Sequence, residues 1–99
     1  MKLPASIRVG AHDYTVCAVD GKAFDVAANG DCDHDEVMIR IRKRMRRTKT
    51  QEILLHEVLH ACLYPLDLKN EERFVEKMAP ELLQVLKNNP NLVRYLVEE

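Results

Sequence analysis

The chain has 99 residues and a formal net charge of -1, which suits one hydrophobic core and is too short for two lobes closing on a deep cleft. Apolar residues make up 46% and charged residues 31%, a balance that excludes a disordered chain and is ordinary for a globular one. No apolar run approaches the roughly 20 residues that cross a bilayer, and so small a net charge gives no global attraction to nucleic acid or membrane.

Residues 7–9 and 14–19 alternate apolar and polar side chains around Gly10, Ala11, His12 and Asp13, the pattern of two strands joined as a hairpin. Residues 21–36 hold Gly21, Asn29, Gly30 and five acids (Asp25, Asp31, Asp33, Asp35, Glu36), which favours loop and turn over a long regular element. The acidic stretch with Cys32 and His34 matches neither calcium-loop nor zinc-finger spacing and reads as a plain turn. Val37, Ile39 and Ile41 alternate with Met38, Arg40 and Arg42, giving a third strand. Seven of the ten residues 40–49 are basic (Arg40, Arg42, Lys43, Arg44, Arg46, Arg47, Lys49). That run is a solvated strand end and loop, or else a contact for an anionic partner.

Thr48 with Gln51 three residues on has the form of a capping box, so the first helix is expected to start there and to end at Pro65. Its apolar set, including Ile53, Leu54, Leu55, Val58, Leu59 and Ala61, wraps most of the circumference, as in a central helix. Asn70 is placed to cap a second helix whose first turn carries Glu71 and Glu72. Pro80 marks a kink or a new start within it, and Pro90 suits the first turn of a short third helix ending near Glu98. The expected architecture is a single α+β domain over residues 1–99. About three antiparallel strands in residues 1–47 pack on a central helix and one or two further helices in residues 48–99.

The chemistry concentrates in His56-Glu57-Val58-Leu59-His60. Helical residues four apart stand one above the other, so both imidazoles can meet one ion, and zinc accepts neutral imidazole nitrogen at about 2.0–2.1 Å. Glu57 lies about 100° round the helix from His56 and can reach water on the metal as a general base without being a ligand. Two histidines and a glutamate packed without a metal is the blander alternative, but polar groups buried together need partners and an ion supplies them. A third ligand is needed. Glu72, Val75, Glu76, Ala79, Leu82 and Leu83 share a face by i, i+3, i+4 spacing, and docking by that stripe carries Glu72 towards the first helix. Glu71 competes with it for the place. Glu76, one turn on, is the candidate to accept a hydrogen bond from a ligating histidine.

Leu54-Leu55-His56-Glu57-Val58-Leu59-His60-Ala61 resembles the active-site helix of HExxH zinc metallopeptidases, the zincins. A glutamate on the next helix resembles the gluzincin arrangement, closest to ImmA/IrrE-like domains and small phage-encoded relatives. In that group the polar residue one turn after the ligand is usually asparagine, where this chain has Glu76. The resemblance implies hydrolysis of a peptide bond by zinc-activated water, with Glu57 taking the proton. It also implies an oxyanion-stabilising residue, for which Tyr64, His34 and Tyr95 are candidates. The expected partner is a protein or peptide substrate, with no membrane involved. The alternative is a catalytically weak or inactive zinc-stabilised module, of phage origin on the same resemblance, that contacts a protein or nucleic acid. Three cysteines (Cys17, Cys32, Cys62) without paired spacing, and no secretory pattern, lead to the expectation of a reduced cytoplasmic setting, that of the host if the chain is phage-encoded.

Overall fold

Gly10 sets the first hairpin. Its φ of 61° is open to glycine at no steric cost and closes a two-residue loop between β1 (Ser6–Val9) and β2 (His12–Val19), with Val9 opposite His12. The computed structural model describes residues 2–24 and 27–99; Asp25, one of the five acids expected in a loop, lies outside them. After a single 3₁₀ turn at Gly21–Ala23, the chain forms β3 (Gly30–Asp33) and β4 (Met38–Arg42), which pair antiparallel from Asp33↔Met38 to Gly30↔Ile41. The strand order is β1-β2-β4-β3, and β4 lies parallel to β2.

The sheet therefore has four strands where about three antiparallel ones are expected, and one of its pairings is parallel. The stretch Gly30–Asp33 was expected to be loop because glycine and acids disfavour strands locally. Pairing along the backbone of β4 overrides that preference, and Asp31 is held across the pair by the guanidinium of Arg40. The expected turn survives just beyond, where Asp33 Oδ1 accepts from the amides of Asp35 and Glu36, each at 3.0 Å. Val37, expected as the first strand residue, sits instead at φ 54°.

α1 (Arg47–Leu63) packs on β1, β3 and β4 with one side and on α2 (Glu71–Asn88) with another, so it is central as its apolar set implies. The Thr48–Gln51 capping box does not form. The helix starts one residue earlier, behind an extended Arg46 without a side-chain cap, and Gln51 Oε1 is buried without a hydrogen-bond partner. A 3₁₀ turn at Tyr64–Leu66 contains Pro65 and ends α1. Asn70 precedes α2 in the left-handed region and makes no side-chain cap. α2 runs through Pro80 without a break, and α3 (Pro90–Val97) follows.

Ile39 and Ile41 are fully buried against Tyr14 and Ala61, each isoleucine worth about 1.5–3 kcal/mol of transfer from water. Val75 and Ala79, also fully buried, seat α2 against α1. This second contact brings the first turn of α2 beside the histidines. Among the described residues no helix is long and apolar enough to cross a membrane.

Candidate metal centre

His56 and His60 project from one face of α1, with ring centroids 5.0 Å apart. Glu72 reaches both: Oε1 lies 3.0 Å from His56 Nε2, and Oε2 lies 2.5 Å from His60 Nε2. One donor atom from each of the three falls within 4.8 Å of the other two, so the group could hold a metal ion. Docking of α2 by the buried Val75 and Ala79 brings Glu72 here, although its side chain stays two-thirds exposed at the rim.

The far side of His60 is held by Glu71, whose Oε2 accepts from Nδ1 at 2.6 Å. The place expected for Glu76 is thus taken by Glu71, and the reason is helix phase. Glu71, Val75 and Ala79 recur every four residues and form the line that faces α1. Glu76 stands about 100° past Val75 and is exposed. Two consecutive acids consequently approach one imidazole from opposite sides. The signal in the sequence was the pair Glu71-Glu72 together with the rule that a ligating histidine donates its other N–H to an oxygen.

Glu57 is buried, at 6% exposure. Burial pushes its carboxyl up to about 7, opposed by the nearby His60 and reinforced by the charges of Glu72 and Asp31. His60 is shifted upward as well: burial disfavours its charged form, but the hydrogen bond to Glu71 and the charges of Glu72 and Glu57 outweigh it. A divalent cation held by His56, His60 and Glu72 would offset the acidic charge gathered at this point. The donor set, two imidazoles and a carboxylate with further acids around, fits such an ion chemically.

Gly30, Asp31 and Cys32 of β3 line the opposite wall of this pocket together with His34. None of the first three was singled out from sequence as part of the site, because their strand was not expected. Gly30 permits the close approach: a Cβ there would lie 2.7 Å from Ile53 Cγ2 and 3.3 Å from Glu57 Oε2. His34 is fixed from two directions, with Tyr14 Oη 3.1 Å from its Nδ1 and the Tyr64 ring stacked on it at 3.8 Å. Of the three candidates for oxyanion stabilisation, His34 lines the pocket and Tyr64 supports it. Tyr95 lies exposed on α3, an element whose main contact is with α2.

The basic run divides. Arg40 is tied to Asp31 and lies over the Phe24 ring. Arg42 packs its guanidinium against Gly21, and Lys43, Arg44, Arg46 and Lys49 border a surface hollow beyond it. No family model matches the chain, and neither a curated protein nor a solved structure does.

Proposed function

We propose that the chain is a small zinc-dependent peptidase of the HExxH kind, with His56, His60 and Glu72 as ligands and Glu57 as general base. The observation that carries this reading is a buried carboxylate, Glu57 at 6% exposure, on the same helix as two histidines that converge with Glu72 within 4.8 Å. A structural metal site has no use for a carboxylate buried beside it, whereas hydrolysis by an activated water requires a base there. Zinc held there would supply Lewis acidity, acidifying water and polarising a carbonyl oxygen.

The chain's own residues then account for the proton traffic. Glu57 accepts the proton of the attacking water and returns it to the amine as the carbon–nitrogen bond breaks, so that one water is consumed per bond. Glu71 holds His60 in the tautomer that leaves Nε2 for the ion, and Glu72 draws the first turn of α2 to the same point. His34 Nδ1 meets the Tyr14 hydroxyl; in the tautomer that accepts there the proton sits on Nε2, and this N–H is the donor we assign to the carbonyl oxygen as it gains negative charge.

Glu57→Gln and His60→Ala separate the roles. Metal content measured by elemental analysis, with hydrolysis of fluorescein-labelled casein read in parallel, should show one zinc per chain and no hydrolysis in Glu57→Gln, and loss of both in His60→Ala. Loss of zinc in Glu57→Gln, or hydrolysis undiminished by it, contradicts the assignment.

A further inference from the structure

A surface hollow of about 610 Å³ lies between the end of β4 and the N-terminal end of α1. It shares no lining residue with the metal centre. Lys49 precedes His56 on α1 by seven residues, about 10 Å along the axis. Five cations line the hollow, Arg42, Lys43, Arg44, Arg46 and Lys49, and its other lining side chains are uncharged. Arg44 has an exposed ion pair with Asp20 at 3.7 Å. Among the described residues no carboxylate pairs with Lys43, Arg46 or Lys49, and Arg42 Nε is buried without a hydrogen-bond partner. The first turn of α1 carries no acid either, so no side chain of that turn offsets the positive end of the helix. Like charges gathered in this way oppose the compact state of the free chain, and an anion relieves them.

We infer that this hollow binds the phosphodiester backbone of a double-stranded nucleic acid, at its phosphates and without reading its bases. The lining selects this partner among polyanions. Of the described residues that border the hollow, Met45 is the one apolar side chain and none is aromatic. An acidic protein segment docks stably through buried anchors of those kinds. A nucleic-acid backbone needs none, because each phosphate neutralised releases condensed counterions. Without an aromatic ring the bases of a single strand would also lack a stacking platform. Contacts to phosphates position a duplex and carry no sequence information. The charge is local as well. Residues 40–49 hold seven basic and no acidic side chains in a chain of net charge -1, so the rest of the chain is acidic on balance and only this face suits a polyanion. The inference stands apart from the peptidase reading of the metal centre.

The test is fluorescence anisotropy of a labelled DNA duplex of about 20 base pairs, titrated with the full chain between about 50 and 200 mM KCl. Engagement of about four phosphates gives a slope of about -3.6 in log K against log salt, a loss of about 150-fold across that range. The double variant Lys43→Gln/Lys49→Gln, at two exposed positions, should bring the slope to about -1.8 and weaken binding about 10- to 100-fold at the lower salt. Lys69→Gln/Lys77→Gln removes the same charge from exposed positions outside the hollow and should leave the slope unchanged. Equal losses in the two double variants overturn the site in favour of bulk charge. Absence of wild-type binding at the lower salt, or a wild-type slope shallower than about -2, overturns it outright. Polyglutamate competing as well as unlabelled duplex makes the partner an acidic polypeptide, and tighter binding of a thymidine single strand overturns the duplex. None of these results bears on the metal centre, whose ligands lie outside the hollow.

Discussion

Adding one methyl group at Gly30 probes the contact between the sheet edge and the metal-site helix. An ideal Cβ there would stand 2.7 Å from Ile53 Cγ2 and 3.0 Å from the Arg40 carbonyl oxygen. Carbon atoms are comfortable at about 3.5–4.0 Å, so the first contact is short by about 1 Å. Neither neighbour yields easily. Ile53 is β-branched and stiff at χ1, and the Arg40 carbonyl belongs to the strand that pairs with β3. The strand must therefore lift from α1, and overpacking of this kind costs about 1–3 kcal/mol. For a domain of this size Gly30→Ala should lower Tm by roughly 5–20 °C. Thermal unfolding by circular dichroism reads the shift, and urea unfolding should show a lower midpoint at unchanged slope. A Tm within about 2 °C of the wild type would refute the close packing of β3 on α1 and with it the placement of Glu57 against that strand.

Two further outcomes follow from the geometry of the site. Glu71→Gln should weaken zinc binding about 10- to 100-fold by loosening the grip on His60, while Glu76→Gln should not; competition with a chromogenic chelator distinguishes them, and equal affinities for wild type and Glu71→Gln would remove Glu71 from the centre. In metal-free protein at pH 8, maleimide should label exposed Cys62 well before Cys32, whose thiol is pushed up to about 12 by burial first and by the charges of Glu57 and Asp31. Peptide mass mapping reads the order, and early labelling of Cys32 would mean that its wall is open.

Local periodicity made the helical half legible. Ile53, Val58 and Ala61 announced a central α1, and Val75 with Ala79 gave the docking face of α2 closely enough to bring Glu72 to the histidines. Phase within that helix was not legible to one residue. The stripe drawn through Glu72 and Glu76 runs instead through Glu71, and an error of one position turns a side chain by about 100°. Strand β3 was illegible for a different reason. Gly30-Asp31-Cys32-Asp33 has poor intrinsic strand preference, and it is ordered by a partner strand and by the Arg40–Asp31 pair, which no local window contains. The wall of the site was missed with it, including the role of Gly30. His34 was visible as a candidate, but its selection over Tyr64 and Tyr95 needed the long-range meeting with Tyr14, 20 positions away.

The ligands and the wall differ in how far apart they are along the chain. His56 and Glu72 are 16 positions apart, joined by one short connection, so closing that loop carries a small entropic cost. The wall of β3 and His34 reaches the same point only after the sheet has been assembled from distant segments, a slower and more easily disrupted step. A chain with its helical hairpin formed and its sheet frayed would retain the group that could hold an ion while losing the wall that, on the proposed reading, would meet a substrate. Occupancy of the candidate centre and the proposed turnover would therefore be separable, and ion binding alone would be a poor gauge of how much of the molecule has folded.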